Sequence, residues 1–148
     1  GLAYSGGKMK LPGWKFPEVV DLAGMTVPES VPLLSNHENK TASRVGMVKA
    51  EIEDFSLTID GEIVSSGDIA AGIIEQAKAG ADWQLSIGAE VKNAELVKGS
   101  REVNGQVHAG PFYHVKESVL REVSVVPVGA DMSTSMKIAA TPKSLKTR

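Results

Sequence analysis

The segment ADWQLSIGAEV, residues 81–91, alternates without a fault: Trp83, Leu85, Ile87, Ala89 and Val91 on one face, Gln84, Ser86, Gly88 and Glu90 on the other. Such alternation specifies a half-buried strand, whose polar face ordinarily just meets water. A serine on a rigid strand also presents its hydroxyl in a fixed direction. Gly88, two residues on, leaves room for a substrate backbone to approach. A serine hydroxyl is a useful nucleophile only beside a base, so the chemistry of Ser86 depends on the histidines.

There are three, His37, His108 and His114, and no cysteine. Without cysteine, HxH or HExxH they make a poor metal signature. His108, close behind Asn104-Gly105, reads as a solvated hairpin residue. His114, in PFYHVKE, alternates with Phe112 and Lys116, and its face is unassigned. His37 differs, because SNHEN follows Leu33-Leu34 directly. A polar loop anchored by an apolar run can hold an imidazole and still expose it to substrate. Glu122, in REVSVV, reads either as a solvated strand carboxylate or as the group that accepts an imidazole N–H and stabilises the imidazolium. Asp131, in VGAD, can play the same part from beyond the regular strand. Glu51, Glu53 and Asp54 read as a solvated strand end, and Lys143, Lys146 and Arg148 as part of a basic tail.

These residues must be positioned by strands. Residues 19–25 suggest a strand before a turn-prone PESVP, and 44–53 a strand with a glycine interruption. Phe55, Leu57 and Ile59 alternate up to Asp60-Gly61, a strong hairpin signal, with Glu62-Ile63-Val64 returning. Ser65 or Ser66 can cap a helix from Gly67 to about Ala79, with Ile69, Ile73 and Ala77 on one stripe and Gly80 just past its end. After residues 83–91 come a hairpin at Asn104-Gly105 and strands at 111–116 and 120–128. The expected fold is α+β and mainly antiparallel: a curved or closed, barrel-like sheet of about seven strands with at least one covering helix. Residues 1–18 read as an irregular arm, 19–131 as the working domain and 132–148 as a tail or linker.

With 148 residues and 42% hydrophobic content the chain can bury a core as one domain. A net charge of −2 gives no electrostatic reason to expect nucleic acid or an anionic membrane. No apolar run approaches the ~18 residues of a membrane span, and the absence of cysteine suits a reducing compartment.

Three segments in chain order, PLLSNHENKTASRVGMV, WQLSIGAEV and LREVSVVPVGAD, resemble motifs of the tailed-bacteriophage prohead serine proteases, whose fold is related to herpesvirus assemblin. The "NH" loop matches at Asn36-His37, the "S-x-G" strand at Ser86-Ile87-Gly88, and the closing strand at Leu120 to Val126. His37 precedes Ser86 by 49 residues, and Glu122 follows it by 36. The resemblance implies Ser86 as nucleophile, His37 as general base and Glu122 as third member, with His114 the alternative because assemblins use a second histidine there. The oxyanion donors match no motif, and the implied serine chemistry requires no metal or organic cofactor. Implied substrates are capsid and scaffold polypeptides, cleaved in the assembling prohead inside the bacterial host cytoplasm, with homo-oligomerisation left open. Self-cleavage would make Lys137-Ile138-Ala139-Ala140 a candidate processing site. The rival expectation is a non-catalytic, β-rich head-assembly or scaffold-binding module in which Ser86, His37 and Glu122 never converge.

Overall fold

A computed structural model describes residues 1–64 and 66–138. The strands are β1 (Leu2–Tyr4), β2 (Glu18–Val20), β3 (Met25–Thr26), β4 (Val31–Ser35), β5 (Arg44–Glu53), β6 (Ser56–Ile63), β7 (Gln84–Val97), β8 (Ser100–Val103), β9 (Gln106–Ala109) and β10 (Phe112–Val126). One α-helix, α1, covers Asp68–Lys78. Eight strands form one sheet along β1-β6-β5-β4-β10-β2, with β3 and β7 also on β10, and β8-β9 is a separate hairpin.

The long strand β10 organises this sheet. Along one edge it pairs antiparallel with β7 from Phe112 to Val126. Along the other it takes β2, β3 and β4 in succession, all parallel. The sheet is therefore mixed but still mainly antiparallel, as expected, and its eight described strands are close to the seven expected, with the β8–β9 hairpin standing apart. It curls enough to bring Gly1, next to β1, against Leu85 of β7. The fully buried side chains of Tyr4, Leu57, Leu85, Val115, Leu120 and Val123 fill the concave side.

Helix α1 forms close to where its periodicity predicts. Ala70 and Ile73 are buried, Asp68 faces the positive end of the helix dipole, and Lys78 stands in the last turn. Gly67 takes the N-cap position; of the two serines expected to cap, Ser65 lies outside the described residues.

The Asp60-Gly61 hairpin does not form. Strand β6 runs straight through this dipeptide, and a Cβ on Gly61 would lie 2.5 Å from the Met47 carbonyl oxygen, so Gly61 serves close backbone approach rather than a turn. The chain turns instead at Asp54-Phe55, both with positive φ, which is poor turn chemistry for phenylalanine and gives no sequence signal. The expected strand at 19–25 is broken into β2, a 3-10 turn at Leu22–Gly24 and β3, because β10 takes up each piece separately. The two strands expected at 111–116 and 120–128 are one, β10.

The terminal segments also join the fold. The arm contributes β1 and the buried Tyr4, so it is not wholly irregular. At the other end Thr134 is buried, and its hydroxyl accepts from the Leu85 N–H and donates to the Leu85 carbonyl.

The Asn104-Gly105 turn forms as its chemistry demands, both residues at positive φ. Asn104 is buried: its Oδ1 accepts from the Leu22 N–H, and its Nδ2 donates to the Gly6 and Val20 carbonyls. The hairpin tip thus ties the arm to β2. Each such bond contributes on the order of 1 kcal/mol, and the abandoned partners would be buried. Asn104→Ala is expected to lower unfolding free energy by about 2–4 kcal/mol, read from chemical denaturation; a loss under ~0.5 kcal/mol would contradict this role.

Candidate active site

The site begins with a break in register. Leu120 lies opposite Ala89, but Glu122 lies opposite Gly88, so Arg121 is an extra residue in β10. Such a bulge reverses the phase of the strand. Leu120 before it and Val123 and Val125 after it all point into the core, while Glu122 and Ser124 reach the opposite, convex face. Strict alternation from Leu120 would have buried Glu122. On β7, Ile87 and Ala89 pack against the core and Ser86 and Gly88 share the convex face. Ser86 is directly opposite Ser124, so the two serine side chains stand beside each other.

His37 arrives from the third direction. Parallel pairing of β4 with β10 ends at Ser35 opposite Val125. Asn36 and His37 then both adopt left-handed backbone, at φ 52° and 57°. Asparagine and histidine tolerate this region better than most side chains. Three bonds hold the turn: Asn36 N–H to the Val125 carbonyl, Glu38 N–H to the Ser35 carbonyl, and His37 N–H to Ser124 Oγ at 2.9 Å.

The imidazole is thereby placed over Glu122. His37 Nδ1 lies 2.7 Å from Oε2 and 3.0 Å from Oε1. The carboxylate is largely buried and the imidazole 42% exposed. Ser124, fully buried, donates its hydroxyl to Glu122 Oε1 at 2.8 Å. One serine therefore fixes both the carboxylate and the backbone of the histidine; it falls within the closing-strand motif, two residues after Glu122, but the sequence assigned it no role. The Glu122 carboxylate holds the imidazole pKa above its usual 6.5, mainly through the hydrogen bond, against partial burial. With Nδ1–H committed to Glu122, Nε2 remains to accept a proton.

Gly88 has a definite use here. A Cβ on it would lie 2.6 Å from Glu122 Oε2 and 2.8 Å from Cδ. The space read in the sequence as room for substrate is, on this face, occupied by the Glu122 carboxylate. Among the described residues no hydrogen bond joins Ser86 Oγ to the His37 ring, whose polar contact is with Glu122.

The other candidates lie elsewhere. His114 is eight residues from Glu122 along β10, roughly 25 Å at strand spacing. It is buried, with Nε2 on Asp21 Oδ2 at 2.8 Å and Nδ1 facing Arg101 at 3.2 Å. It is not available to His37. Asp131 is committed to the N-terminal arm, accepting from the Ser5 N–H and hydroxyl, both at 2.6 Å. His108 is buried rather than solvated, on the Val103 carbonyl and edge-on to Phe112. Among the described residues no three metal-ligating side chains form a group, and no helix is long and apolar enough to cross a membrane.

Two substitutions test this arrangement. Glu122→Gln should move the His37 titration, followed by ring NMR, to lower pH. The coupled stability has a definite sign: a histidine with a raised folded-state value is stabilising below its unfolded value near 6.5, and that contribution fades as pH rises through the raised value. Gly88→Ala should displace the carboxylate and lower the His37 pKa likewise. An unchanged titration in both would contradict the pairing.

A family model of the caudovirus prohead serine protease matches residues 17–147. No curated protein and no solved structure matches the chain. The matched span contains β2 to β10 and the whole of the His37–Glu122–Ser86 neighbourhood, and the chain belongs to the caudovirus prohead serine protease family.

Proposed function

We propose that the chain is a serine endopeptidase of phage head maturation, with Ser86 as nucleophile, His37 as general base and Glu122 as the group that orients and stabilises His37. The observation that carries this reading is the imidazole–carboxylate pair held at 2.7 Å on the face that Ser86 shares. Glu122 keeps the proton on Nδ1, so Nε2 is the basic nitrogen. When the imidazole closes on Ser86, Nε2 takes the Oγ proton as Oγ attacks the scissile carbonyl. Catalytic hydrogen bonds of this kind are often long or absent before substrate binds. The tetrahedral intermediate collapses as the imidazolium gives its proton to the departing amine, leaving an acyl ester on Ser86. Water, deprotonated by the same Nε2, then releases the acid and restores the serine.

Ser124 acts through its neighbours: it holds Glu122 Oε1 and the His37 N–H, so it positions the pair and does not react. The substrates in this reading are scaffold segments and scaffold-like parts of the capsid polypeptide, cut within the assembling head in the host cytoplasm. Whether the chain also cuts itself at Lys137-Ile138-Ala139-Ala140 falls on a segment whose last two residues lie outside those described.

A fluorophosphonate probe tests the assignment. Ser86 is expected to be labelled, Ser86→Ala to lose the label, and Ser124→Ala to retain it at a reduced rate. Against capsid polypeptide, Ser86→Ala should lower kcat on the order of 10⁶-fold and Glu122→Gln on the order of 10⁴-fold. Full activity in Ser86→Ala would overturn Ser86 as nucleophile, and a wild type that neither takes the label nor cleaves capsid polypeptide would favour the non-catalytic assembly module.

A further inference from the structure

The concave side of β7 carries a second feature that the serine chemistry does not use. A cavity of about 170 Å³ opens there, walled by Met9, Leu11, Val20, Ile87 and Val91, with the Gly88 backbone and Glu18 in its lining. Glu18 is 6% exposed, and its Oε2 is shut off from solvent with no hydrogen-bond partner. Among the described residues no ion pair or side-chain hydrogen bond reaches its carboxyl group, although its backbone is fully engaged with Met9. Burial alone pushes its pKa up. An acid in an apolar pocket without a partner is costly to the fold, and a cation is the ligand that reverses the cost.

The position of the cavity indicates what brings the cation. One edge of β7 is taken by β10; from Ile87 to Val91 no described strand pairs with the other. An extended polypeptide laid along that free edge sends alternate side chains to the two faces of the sheet. One set lies on the face of Ser86 and Gly88, and the other on the face of Ile87, Ala89 and Val91, over the cavity.

We propose that this cavity receives a lysine side chain of an extended polypeptide bound along the β7 edge, with the aliphatic stem against Met9, Val20 and Ile87 and the ammonium on Glu18. The stem suits the apolar walls, and the compact ammonium suits a single carboxylate. Its consequence for cleavage, a preference for segments carrying lysine near the scissile bond, rests on the protease reading; the binding itself does not.

The test uses the whole 148-residue chain and two small probes, N-acetyl-lysine N-methylamide and its norleucine counterpart, with the Met9 and Ile87 methyl resonances as readout. The lysine probe is expected to shift both signals saturably, with an apparent Kd about ten-fold or more below that of norleucine. Glu18→Gln should abolish the difference, and Ala89→Leu, which narrows the cavity and keeps Glu18, should weaken the lysine probe. Equal affinities, no saturable shift, or a lysine preference that survives in folded Glu18→Gln would overturn the inference. Ser86→Ala should leave the binding unchanged, so failure here leaves the serine chemistry standing, and failure of fluorophosphonate labelling leaves this site standing.

Discussion

Strand β10 commits both of its edges, one to β7 over its whole length and the other to β2, β3 and β4 in turn. Among the described residues no other element meets so many partners, and the parts of the site are delivered by three strands at one end. β7 carries Ser86 and Gly88, β10 itself carries Glu122 and Ser124, and β4 runs into the His37 turn. The extra residue at Arg121 decides which side of the sheet they occupy. Without it, Leu120 and Glu122 would share a face, and either the core would lose a leucine or a carboxylate would be buried among aliphatic side chains.

That register sets up a chain of small, mutually dependent contacts. Ser124 holds Glu122 and the His37 backbone, Glu122 holds the imidazole, and Gly88 leaves the room the carboxylate occupies. The left-handed pair Asn36-His37 is uncommon backbone geometry, held by bonds at both ends of the turn. The electrostatic outcome is a histidine held more basic than usual on a partly open face, in keeping with the role of base proposed for it.

Much of this was legible in residue types. The alternation in residues 81–91 marked β7 and placed Ser86 opposite the core-facing residues; helix α1 and the Asn104-Gly105 turn followed from periodicity and turn chemistry. The choice among Glu122, Asp131 and His114 as partner to His37 was not legible, because it depends on where β10 is bulged and which strands it receives. Those are long-range facts that no local window contains. The Asp60-Gly61 signal misled for a related reason: the glycine is there for Met47, a residue on another strand. Asp54-Phe55 turns the chain against its own propensity because the β5–β6 pairing outweighs one strained residue. The buried state of His108 and Asn104 likewise depends on docking of the β8–β9 hairpin, which composition does not reveal.

The most direct test of the proposed mechanism measures one protonation event in two ways. The rate of fluorophosphonate acylation at Ser86, followed against pH, should rise along a single titration whose midpoint lies above 6.5. The same midpoint should be found for the His37 imidazole by NMR in the same protein, and both should move down together in Glu122→Gln. An acylation rate that ignores the His37 titration, or follows a different group, would contradict the mechanism.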